Sequence, residues 1–227
     1  MEVLDSWLKP TWFIDSESEE VARFAAEAVR NATDPTEKAV LLFRAVRDGI
    51  RYDPYRCEEA PEAYRASAVV RSDANWCVPK SVLMTAAARS QGIPARLGFA
   101  DVRNHLNSEK LRQHMGSDLF IWHGFSELLL GGRWFKLSTA FNIELCQRFG
   151  TRVLDFDGSG DALMHPFDAQ GRRHMEYVRQ RGSFDDLPLE QIQADFAAFY
   201  PDWFIDEAGA PRRVASAADA RDKAFAR

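Results

Sequence analysis

The sequence predicts an α+β fold in which helices pack on an antiparallel sheet. Three observations point to it. Apolar residues recur at helical spacing through the first part of the chain. Later, two β-rich runs flank the pair Gly131-Gly132. Between these regions a cysteine, Cys77, opens an Ala-, Leu- and Met-rich stretch over 78–91 that Gly92 and Pro94 bring to a stop. Helices followed by strands, with no repeat and no linker-like stretch, suit one α+β domain over 1–227.

Composition narrows the function. Apolar residues make up 46% of the chain, enough for a substantial core, and the net charge of −5 argues against nucleic acid as a partner. No apolar run approaches the roughly 20 residues of a membrane span. The start, Met1-Glu2-Val3-Leu4-Asp5, lacks the basic and apolar regions of a signal peptide. Cys57, Cys77 and Cys146 are widely spaced with no C-x-x-C pair. A reduced, cytoplasmic setting is therefore expected, with room left for one disulfide.

Taken in order, residues 1–15 read as an arm carrying Trp7, Trp12 and Phe13. Ser16 and Glu19 offer a capping box for a helix to about Asn31. Asp34-Pro35-Thr36-Glu37 supplies a second start, and Ala39, Leu42, Phe43, Val46 and Ile50 form its buried stripe. Residues 62–71 suit a short helix before the Cys77 helix. Residues 93–102 alternate as a strand, and 103–118 read as a polar surface excursion. Leu189, Ile192, Phe196 and Phe199 recur at helical spacing over 188–200. The tail over 208–227 has weak periodicity and is expected to fray or stay disordered.

The runs 119–130 and 133–139 form a hairpin around Gly131-Gly132. That turn sets a register in which Leu130 faces Arg133 and Glu127 faces Lys136, a favourable charge pair. The same register sets Phe125 against Ser138 and His123 against Ala140. Alternation then puts His123, Phe125, Glu127, Trp134, Lys136 and Ser138 on one face, with His123 and Ser138 diagonal neighbours.

Cys77 begins as an ambiguous residue. Free cysteines are often simply small and buried. A thiol at a helix start instead meets unpaired N–H groups and the positive end of the dipole, which favour the nucleophilic thiolate. The surrounding motifs resemble the transglutaminase-like superfamily. They are Ile50-Arg51-Tyr52-Asp53 closing a helix, the cysteine at a helix start, Gly92-Ile93-Pro94-Ala95-Arg96, a strand bearing His123, and Gly132-Arg133-Trp134. The resemblance covers about 36–142, leaving 143–207 as a variable extension.

This resemblance implies a papain-like core and acyl transfer at amide bonds by a Cys77–His123 couple, with hydrolysis favoured over transfer to a second amine. His123 would hold the thiolate as an ion pair and protonate the leaving amine. A protein of this kind would take a peptide or protein amide as substrate and need no cofactor. Asn75, Trp76 and Trp134 would wall the site or serve its oxyanion region. Two positions depart from the family: Asn75-Trp76 stands where a glycine is usual, and Ser138 stands where the third residue is an Asp. Ser138 would orient His123, or Asn142 would, or an acid from the later loop, Asp155 or Asp157, would fold back. A catalytically silent peptide-binding domain and an acyltransferase using a thioester donor are the alternatives. The run Asp155-x-Asp157-x-Ser159-Gly160-Asp161 copies half of a Ca²⁺ loop but has Pro166 where a bidentate Glu is needed, so no metal is expected.

Overall fold

The computed structural model describes residues 6–201, 203 and 216–226. Two amphipathic helices come first, α1 (Glu19–Val29) and α2 (Pro35–Gly49). The α2 start is as the sequence predicts: Asp34 caps the N–H of Glu37 and Pro35 occupies the first turn. The start of α1 differs. Ser18, not Ser16, is the N-cap, because the chain is still turning there: the Ser16 and Ser18 N–H groups bond to Ile14 and Asp15. A strand β1 (Arg51–Tyr52), a 3-10 turn (Pro61–Tyr64) and a short α3 (Ala66–Val70) lead to β2 (Ala74–Asn75), which pairs in parallel with β1.

The central element is α4 (Cys77–Ser90). Every residue from Cys77 to Arg89 is buried. A helix with no solvated face lies between layers: α1, α2 and α3 pack on one side of α4, and the sheet on the other. Val82, Leu83 and Met84 have no exposure, and each such burial contributes roughly 1.5–3 kcal/mol. The polar residues inside are satisfied. Lys80 Nζ donates to the carbonyls of Arg47 and Ile50 at the end of α2. Arg89 donates to Ala95, Lys9 and Asp185 carbonyls.

The main sheet has the order β5-β4-β3-β6, all neighbours antiparallel. Its strands are β3 (Ala95–Asn104), β4 (Leu119–Leu130), β5 (Arg133–Leu137) and β6 (Met175–Phe184). The hairpin register matches the sequence reading, with Leu130 opposite Arg133 and Glu127 opposite Lys136. Gly131 and Gly132 both take positive φ, 56° and 81°, as a tight two-residue hairpin requires. The pairing stops at Ser126–Leu137, so the expected partners Phe125–Ser138 and His123–Ala140 lie beyond the ladder.

Elsewhere the structure departs from the sequence reading. The excursion over 103–118 contains α5 (Glu109–Met115), capped by Ser108, with Leu111 and Met115 buried; its apolar pair was too short a signal in a polar stretch. After α6 (Ile143–Phe149), the strand β6 had no expectation at all, since most of its side chains face solvent. The helix α7 (Leu189–Phe199) buries Leu189, Ile192 and Phe196 but leaves Phe199 exposed. Within the tail, 216–226 docks onto the body: Asp222 accepts from Tyr55 and Ser108, and Phe225 packs by Tyr52 and Phe149. The remaining tail positions expected to fray, 208–215 and 227, lie outside the described residues.

The α4–β4 contact is close. A Cβ on Gly124 would sit 2.7 Å from Ser81 Oγ and 3.1 Å from Val78 Cα. Gly124→Ala is expected to cost about 1–3 kcal/mol by overpacking, read as a lower melting temperature. An unchanged Tm would mean that the helix can slide off the sheet without penalty.

Candidate active site

Cys77 is the first residue of α4, and the N-cap Trp76 is extended with no side-chain cap. The early N–H groups of the helix are thus free for other partners. The preceding loop is held by the β1–β2 pairing of Tyr52 with Asn75, and Asn75 Oδ1 accepts from the Trp76 N–H at 3.1 Å. Backbone N–H groups of Gly124, Val78 and Cys77 itself face the sulfur, and Lys80 adds positive charge one turn along. Burial opposes them and wins, pushing the Cys77 thiol up to about 11.

His123 lies on β4 directly before Gly124 and is 5% exposed. Burial pushes its imidazole down to about 4. The route to Ser138 depends on where β5 leaves β4. Ala162 bonds along the other edge of β5, its N–H to Lys136 O and its carbonyl to Ser138 N–H, each at 2.8 Å. Past Leu137 the chain follows Ala162 rather than β4. Ser138 Oγ is then 3.5 Å from His123 Nε2, the long limit of a hydrogen bond. Cys77 and His123 open on one cavity of about 40 Å³, walled by Trp76, Ile121, Phe196 and Tyr200 among others. At neutral pH the resting couple is a thiol and a neutral imidazole. Burial penalises both charged forms, raising the Cys77 thiol and lowering the His123 imidazole, and so acts against the ion pair that the resemblance implies.

The model of the transglutaminase-like superfamily matches residues 22–139, which contain Cys77, His123 and Ser138. The chain belongs to this superfamily. A solved structure described as a "Putative Cysteine Protease from Cytophaga hutchinsonii" has a similar fold, at 15% identity and a TM-score of 0.51. The likeness covers 82% of this chain and 48% of that one, so this chain spans about half of the other's length. No curated protein matches.

The family match starts within α1 and ends just past β5. Of the residues proposed for the site, the structure brings Cys77, Trp76 and His123 to one cavity and Ser138 to 3.5 Å from the imidazole Nε2. Asn142, offered as a substitute third residue, accepts instead from the Tyr52 N–H at 3.1 Å. Asp157 caps its own loop through Ser159, and Asp155 pairs with Arg44 and Arg47. Trp134 is drawn away from the cavity: its ring stacks with the Arg96 guanidinium at 4.1 Å and meets Trp7 edge-on. Among the described residues no cluster of three or more His, Cys, Asp or Glu is placed to hold a metal, and no helix is long and apolar enough to cross a membrane. The three cysteines are free. Sequence reasoning missed Phe196 and Tyr200 as cavity walls. They lie beyond the family motifs, and only the apolar period of α7 marked Phe196 as buried.

Proposed function

We propose that this protein hydrolyses amide bonds of peptides or proteins by acyl transfer through Cys77. The observation that carries the reading is the placement of His123, with its Nε2 toward Ser138 and its ring on the cavity that holds Cys77. Ser138 Oγ accepts the Nε2–H, which keeps the proton on that nitrogen and leaves Nδ1 basic. As Cys77 attacks the carbonyl carbon and the S–C bond forms, its proton passes to Nδ1. The imidazolium gives that proton to the amine nitrogen as the C–N bond breaks. Water then attacks the thioester, returning a proton through His123, and the acid leaves as the thiol re-forms. The N–H groups around the sulfur are at hand for the carbonyl oxygen as it gains charge.

Acylation by p-nitrophenyl acetate tests this, followed by p-nitrophenolate release and by mass spectrometry of the acetylated residue. Cys77 should react ahead of Cys57, whose thiol burial pushes up to about 12, and ahead of Cys146. Equal labelling of the three would end the enzyme reading. Ser138→Ala should slow acylation by about tenfold, the worth of one hydrogen bond of roughly 1.4 kcal/mol. An unchanged rate would remove Ser138 from the mechanism.

A further inference from the structure

His123 follows a backbone irregularity. Trp122 has φ +58°, a conformation in which a bulky residue is strained and persists only where its surroundings enforce it. It lies in a bulge: between the pairs Ala100–His123 and Val102–Phe120, Ile121 and Trp122 together face only Asp101. A bulge of this kind redirects the side chains that follow it.

Three charged groups enforce the bend. Asp101 Oδ1 accepts from the Trp122 N–H at 3.0 Å and from Arg181 Nε. Asp195 Oδ2 accepts from the Trp122 indole Nε1–H at 2.7 Å and from Arg181 Nη1 at 2.6 Å. The Arg181 guanidinium also lies 4.6 Å over the Trp122 ring. The tryptophan is therefore held at its backbone, its indole nitrogen and its ring face by one ionic cluster. The Arg181 and Asp101 side chains are largely buried, at 11% and 7% exposure. Arg181 lies on β6 and Asp195 on α7, both beyond the family core.

We infer that the Arg181 bridge between Asp101 and Asp195 is a positioning device for His123: it locks Trp122 in its left-handed bend, and the bend sets the direction in which the imidazole leaves β4. The extension after residue 139 thereby contributes to the acyl-transfer chemistry without touching the substrate. This rests on the acyl-transfer reading above.

A double-mutant cycle separates positioning from general support of the fold. The readout is the rate of Cys77 acetylation by p-nitrophenyl acetate on folded protein, for wild type, Asp195→Asn, His123→Ala and the double variant. Asp195 is half-exposed and its amide keeps the same shape; Arg181→Lys, which keeps the charge but loses the two-pronged geometry, serves as an independent second variant. A misaimed base costs about tenfold to a hundredfold. The inference expects that loss from Asp195→Asn and from Arg181→Lys in the wild-type background, and no further loss once His123 is Ala. Equal losses in both backgrounds, or no loss in either, would overturn it while leaving the acyl-transfer reading in place. A His123→Ala protein reacting at the wild-type rate would overturn both.

Discussion

His123→Ala is expected to slow acylation of Cys77 by about a thousandfold, within the range that one general acid–base group contributes. The size follows from the state of the couple. With the thiol pushed up to about 11, almost no thiolate exists at neutral pH, so attack needs an acceptor for the proton in the same step. The imidazole is available for that, because burial pushes it down to about 4 and keeps it neutral. The acid limb of wild-type acylation should accordingly fall near pH 4, where His123 takes up a proton, and not near the ordinary histidine value of about 6.5. A pH–rate profile with its acid limb at 6.5, or a His123→Ala protein within a fewfold of wild type, would contradict this picture.

The second large effect is on stability. His123 and His174 are both buried and both pushed down to about 4, chiefly by burial. Below pH 6.5 the unfolded chain binds protons that the folded one refuses, so folding loses stability as pH falls from 6.5 toward 4. At 1.36 kcal/mol per pH unit, each histidine removes roughly 3 kcal/mol by pH 4 and roughly 2 kcal/mol by pH 5. Lys80 acts in the same sense at higher pH. Pushed down to about 7, it removes stability as pH falls from about 10.5 to 7 and adds no further change below that. Urea titrations at pH 7 and pH 5 should show a clear fall in midpoint, and His174→Gln should flatten it. Equal midpoints would show that both rings are protonated in the folded protein, or reach water.

Much of the site was legible because one turn fixes one register. Gly131-Gly132 sets Glu127 opposite Lys136, and counting back along both strands places Ser138 beside His123. The count holds although the ladder has ended: Ala162 bonds to Lys136 and Ser138 there, and Ser138 Oγ lies 3.5 Å from His123 Nε2. The failures have physical causes of a different kind. Trp134 has the right strand and face but finds a cation and a second indole to pack on, and local pattern does not reveal such partners. The bend at Trp122 has no signature in the residue itself, since tryptophan has no preference for positive φ. It exists because Asp101, Arg181 and Asp195 converge from three elements. Likewise Phe196 and Tyr200 wall the cavity through contacts across long stretches of sequence.

The departure of β5 after Leu137 has one more consequence. The Leu129 N–H bonds to Pro94 on the β3 side, so alternation turns the N–H groups of Gly124, Ser126 and Leu128 toward β5. At Gly124 no strand is there to receive the bond, and the sulfur of Cys77 is what the N–H faces. The Cys77 sulfur lies on the side where a further rung of the ladder would form. Zipping the hairpin two residues further would set the carbonyl of Thr139 in competition with sulfur for the same proton. Cys77 thus lies against the edge of β4 at the point where β5 has left it.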